Sequence, residues 1–167
     1  HTATIHYMDK YGYVPLWVGV KVLSFGIVGE LYTIMQYEDQ EEVAEILNIS
    51  VGNLIHYLPT LANYRNLCAH EDICYENRSQ KVIDDTKYHK MLFIPKMDGE
   101  YIYGKNDLFS LIIILKQLLN KDDFNLLMRE MVYELDLLEG KLHSVNISKV
   151  LDTMGFPVNY EEIVRMD

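Results

Sequence analysis

Phe124, Leu127, Met131, Leu135, Leu138 and Leu142 recur at steps of three or four, and that spacing forms one continuous stripe only on an α-helix with a buried face. Leu108, Leu111, Ile112, Leu115, Leu118 and Leu119 make a second stripe just before it. Leu16, Val20, Leu23, Ile27, Leu31 and Ile34 make a third near the N-terminus. A chain patterned this way buries its apolar surface by packing helix on helix. Its 167 residues suffice for one domain with a real core. There is no internal repeat and no Gly/Ser-rich linker, so 1–167 reads as a single, mainly helical domain.

Local signals divide the chain further. The third stripe predicts one helix from Leu16 to Ile34, with Gly26 and Gly29 inside it to permit close packing. Asp39 with Glu42 three residues on resembles a capping box for a short second helix ending near Leu47. Ser50 can cap a third helix carrying Leu54, Ile55, Leu58, Leu61 and Ala62, with Pro59 expected to kink or break it. Between 77 and 106 the pattern changes. Met91-Leu92-Phe93-Ile94 and Tyr101-Ile102-Tyr103 flank Asp98-Gly99, which predicts a small β-hairpin near 90–104. Asp122 is expected to cap the long helix and Asn146 a last short one, with Gly155 as its C-terminal stop and Pro157 just beyond.

Chemistry concentrates in Arg65-Asn66-Leu67-Cys68-Ala69-His70, at the end of the third helix. Cleaving RNA without a metal requires a group that moves protons near neutral pH, which histidine provides. It also requires a fixed positive fork for the phosphate oxygens, which arginine provides. Asn66 can orient either the histidine or the phosphate. The blander reading of Arg65 and His70 is a buried polar pair capping helix ends, and of Asn66 a simple cap. Cys68 and Ala69 read as small core residues allowing close helix approach. On a continuous helix, residues five apart point about 140° from each other. Arg65 and His70 then converge only if the helix is distorted or if each site combines two chains about a two-fold axis.

Charge argues in both directions. The net charge of −10 is unfavourable for nucleic-acid binding. From 36 to 76 there are eight acids against one base, Arg65. From 77 to 105 there are six bases against four acids, so Arg78, Lys81 and Lys105 are the candidates for holding a phosphate backbone. Gly104-Lys105-Asn106-Asp107 reads either as a phosphate-binding turn or, more simply, as a loop ending in a helix cap. The carboxylates around Glu38 to Glu42 read as a solvated face, with no metal and no cofactor expected. Cys68 and Cys74 do not have zinc or redox-motif spacing and are expected to stay reduced. No transmembrane run or signal peptide is visible, and a cytoplasmic protein is expected.

Several ordered blocks carry a resemblance. Arg-Asn-x-x-x-His is a form of the Arg-x4-6-His motif of the HEPN superfamily. Pro15-Leu16-Trp17-Val18, Leu23-Ser24-Phe25-Gly26, Tyr64 to His70, Gly104-Lys105-Asn106-Asp107-Leu108-Phe109 and Met154-Gly155-Phe156-Pro157 resemble the blocks of the Abi-like, abortive-infection proteins of bacteria. That resemblance implies an all-α, HEPN-like helical bundle, a homodimer, and phage defence through a toxin-like endoribonuclease with RNA as its substrate. It places Arg65 and His70 on the catalytic pair and Asn66 on its polar companion. It also implies an N-terminal region absent from this chain and, as further partners, an antitoxin or a regulatory RNA. After the histidine, an arginine common in the family is replaced here by Ile73 or Cys74. The competing expectation is a catalytically inactive HEPN-like module that binds RNA or protein in a defence or toxin–antitoxin system. A third is a helical assembly domain.

Overall fold

A computed structural model describes residues 2–166 of the chain. It is mostly helical, with one small hairpin among the described residues. In order, the helices are α1 (Thr2–Tyr11), α2 (Leu16–Gly19, continued by a 3-10 turn Val20–Val22), α3 (Phe25–Thr33), α4 (Tyr37–Ile46), α5 (Val51–Ala69), α6 (Lys87–Met91), α7 (Leu108–Leu118), α8 (Lys121–Glu139) and α9 (Ile147–Met154). A 3-10 segment, Tyr160–Arg165, follows α9. Strands β1 (Lys96–Met97) and β2 (Glu100–Tyr101) pair antiparallel between α6 and α7.

Helix α5 is the central element, packing against α3, α4 and α7, while α7 in turn packs on α8. Its Tyr57 is fully buried and joins Phe109, Ile113, Phe124, Met128 and Phe156 in the main core. Its Leu54 faces a smaller cluster with Tyr32 and Ala44, and Ile49 touches both. The small cluster is tied by two hydrogen bonds: the Tyr32 hydroxyl donates to the Gln40 carbonyl at 2.9 Å, and Gln40 Nε2 donates to the Tyr32 carbonyl at 2.8 Å.

The expected close packing at the glycines is present. A Cβ on Gly29 would lie 3.4 Å from the Leu58 Cβ, and one on Gly26 would lie 4.0 Å from the Ala62 Cβ. Those contacts set α3 directly on α5. The helix predicted from Leu16 to Ile34, however, is broken. Leu23 adopts extended backbone, and Ser24 Oγ accepts the Ile27 N–H at 3.3 Å to start α3 afresh. A serine that can cap competes with helix continuation, and here the cap wins although the apolar period runs through it.

Two other predicted caps are displaced. Helix α4 starts after Gln36, so Asp39 lies in its first turn, where the N-terminal dipole favours a carboxylate. Helix α8 is capped by Asn120, whose Oδ1 accepts the Asp123 N–H at 2.9 Å, and Asp122 lies inside its first turn. Ser50 and Asn146 cap α5 and α9 as expected, and Gly155 ends α9 in the left-handed region. Pro59 neither stops nor divides α5. Proline removes one intrahelical bond, but Tyr57 and Thr60 on either side are fully buried, and packing on both sides holds the helix together.

The hairpin forms at Asp98-Gly99, both with positive φ (52° and 89°), as a two-residue turn of this twist requires. Its strands are shorter than the predicted runs. Met91 ends α6, and Pro95 stands before β1, whose Lys96 pairs with Tyr101.

Candidate active site

Arg65 to Ala69 form the last turn of α5, and His70 is its C-cap, with φ −103° and ψ 7°. The His70 amide bonds the Asn66 carbonyl at 3.0 Å. Glu71 then adopts φ 56°, its amide reaches the Cys68 carbonyl at 3.4 Å, and the Asp72 amide reaches the Leu67 carbonyl at 2.9 Å. This pair of bonds is a Schellman stop, usually built on glycine. A glutamate here carries a left-handed backbone that costs about 1 kcal/mol or more. No glycine marks the stop in the sequence, so the turn could not be read from it.

The helix runs unbroken to Ala69, which sets Arg65 and the capping His70 about 140° apart around its axis. Asn66 links them. Its Oδ1 accepts from Arg65 Nη1 at 3.1 Å, and it lies one turn before His70, on the same face. Arg65, Asn66 and His70 are all exposed. They are therefore not the buried capping pair of the blander reading. Cys68 and Ala69, expected in the core, are exposed as well, and in this last turn of α5 Leu67 alone is half-buried.

After the stop, residues 71–79 double back along α5. The Tyr64 hydroxyl donates to the Asn77 carbonyl at 3.3 Å, and burial pushes the Tyr64 phenol up to about 12. Arg78 donates to the Thr153 carbonyl at the end of α9 (2.9 Å) and to the Asn77 carbonyl (3.2 Å). It thus clamps the loop to α9. Lys105 is committed to Asp85 at 2.6 Å and Glu100 at 3.6 Å, and these bonds with Lys96 hold the Asp85 carboxyl below its usual range. Lys81 is exposed. Of the three basic candidates, then, two have structural partners. Lys149, which helical patterning did not single out, lines a cleft with Tyr75, Glu76, Asn146 and Thr153 beside the returning loop.

Gly104-Lys105-Asn106-Asp107 is a helix cap. Asp107 Oδ1 accepts the Ser110 N–H at 2.9 Å, and its carboxylate also accepts the Gly104 N–H. The group is 3% exposed. Burial pushes its carboxyl up to about 6, against the opposing pull of those amides and of Arg78. A folded value above the unfolded 3.8 means that the folded state holds the extra proton. The stability this contributes is full below 3.8 and is lost as pH rises through about 6. The wild-type advantage over Asp107→Asn should therefore shrink by about 2 kcal/mol between pH 4 and pH 7, read from urea melts of both proteins. A pH-independent gap would mean that the carboxyl ionises normally.

The segment that builds α1 to α5 and the motif has an assignable relation. Residues 2–76 match the family model of the Abi-like proteins. The matched segment contains Arg65, Asn66 and His70 and ends within the loop that Arg78 clamps. It includes the smaller apolar cluster, while most of the main core lies beyond it. No curated protein and no solved structure matches the chain. Among the described residues, no helix is long and apolar enough to cross a membrane.

Proposed function

We propose that this chain is a metal-independent endoribonuclease of abortive-infection defence against phage, working as a homodimer. One observation carries the reading: the exposed Arg65–Asn66–His70 strip at the end of α5, inside the Abi-like match. His70 takes the proton of the ribose 2′-hydroxyl or returns one to the leaving 5′-oxygen. Arg65 stabilises the charge that develops on the pentacoordinate phosphorus. Asn66 holds the arginine side chain and positions the phosphate. The products are a 2′,3′-cyclic phosphate and a 5′-hydroxyl. The helix runs unbroken from Arg65 to Ala69 and keeps Arg65 and the capping His70 of one chain on different sides, which supports a site assembled from two chains about a two-fold axis.

The test is cleavage of a single-stranded RNA in EDTA. Arg65→Ala and His70→Ala should each lower the rate by about a hundredfold or more while keeping the wild-type melting temperature, since both side chains are exposed. Cleavage unaffected by either change would refute the assignment.

A second reading is favoured by the charge. Glu71 and Asp72 directly follow the histidine, and Arg78 and Lys105 are engaged in structural contacts. An inactive module that binds RNA or a protein partner would show binding that survives His70→Ala, with no turnover in the wild type.

A further inference from the structure

Cys68 and Cys74 are six positions apart, yet their sulfurs are 3.8 Å from each other. The stop at Glu71 brings them together: the chain turns back at once, and Cys74 is held by a contact from its thiol to the Asp72 carbonyl at 3.5 Å. Both thiols are free, and Cys68 is exposed. A disulfide requires the sulfurs to close to about 2.05 Å, a movement within reach of side-chain rotation at a surface turn. The short segment between them contains His70.

We propose that Cys68 and Cys74 form a redox-sensitive dithiol that a low-molecular-weight disulfide converts reversibly into an intrachain disulfide closing a ring around His70. The Cys68 thiolate attacks one sulfur of the small disulfide and releases one small thiol, leaving a mixed disulfide. The Cys74 thiolate then attacks Cys68 Sγ and releases the second thiol. Two protein thiols are oxidised and one small disulfide is reduced to two thiols. Cys68 is the entry point because it is the exposed member. Cys74 is the resolving member, its thiol pushed up by partial burial and by the neighbouring Cys68. A ring across the stop fixes the turn that places His70. The inference stands on the sulfur geometry and does not depend on RNA cleavage.

The experiment treats the protein with glutathione disulfide, blocks remaining thiols with iodoacetamide and measures intact and peptide masses. The expected result is a chain two hydrogens lighter than the dithiothreitol-treated protein, with neither cysteine alkylated and a Cys68–Cys74 linked peptide, all reversed by dithiothreitol. Cys68→Ser and Cys74→Ser should instead stop at the free thiol or at the glutathione adduct. In the oxidised wild type, amide exchange from His70 to Ile73 should slow by about tenfold. Full alkylation of both cysteines, a stable glutathione adduct on the wild type, or a disulfide between two chains would each overturn the proposal.

Discussion

Gly155→Ala costs this protein about 3 kcal/mol or more. Two effects add at the one position. Its φ of +79° strains any residue with a side chain, for about 1–2 kcal/mol. The new methyl would also stand 2.2 Å from Asp107 Cγ and 2.3 Å from Oδ2, distances that force one group to move. Asp107 cannot move freely. Its carboxylate holds the Gly104 and Ser110 amides, so displacing it uncaps α7 and opens the 104–107 loop. For a chain of this size the melting temperature should fall by about 10 °C. Gly99→Ala separates the two effects. Gly99 also has positive φ, at +89°, but nothing lies within 4 Å of the added atom. It should lose only the backbone part, about 1–2 kcal/mol. Equal losses at both glycines would mean that the Asp107 contact is soft.

Mixing inactive Arg65→Ala and inactive His70→Ala proteins in equal amounts, with subunit exchange, restores about a quarter of wild-type cleavage if each site takes its arginine from one chain and its histidine from the other. Half of the randomly formed dimers are mixed. Each mixed dimer has one site that lacks both groups and one that is complete. Sites built within one chain would give no recovery, since every copy would then lack one group. The prediction is large because it is a return from near zero. It follows from the helix, which runs unbroken from Arg65 to Ala69 and is capped by His70, so the two side chains of one chain leave different sides of it. No recovery, with both single changes still inactive, would place the arginine and histidine in one chain. The helix end would then have to rearrange on RNA binding.

Much of the helical plan was legible because its signals are local. Ser50, Asn146 and Gly155 act within one turn of themselves, and Asp98-Gly99 needs only its own backbone. The misread boundaries have a common cause. The stripe from Leu16 to Ile34 keeps a helical period through Ser24, so the period could not reveal that the serine restarts the helix. Asp39 and Asp122 resemble caps in the sequence because acids favour the first turn as well as the cap itself. Pro59 was read from its intrinsic cost, without the burial on both sides that offsets it. In the candidate site, the residue types were visible but their exposure was not. Cys68 and Ala69 have the small size of packing residues, whereas the structure leaves both exposed.

By itself, the amino-acid order determined that this is a helical protein, where most of its helices run, and that an arginine, an amide and a histidine share one helix end. Those properties depend on side-chain periodicity and on contacts a few residues long. The tertiary structure decided what depends on distant chain segments meeting. Arg78 is spent on the end of α9, and Lys105 on Asp85. Asp107 is buried against Gly155. Cys68 and Cys74 come into contact because a glutamate adopts the left-handed turn that sequence statistics reserve for glycine. Such contacts form only when the whole chain has packed, because the energy that holds each strained or buried group comes from elsewhere in the fold.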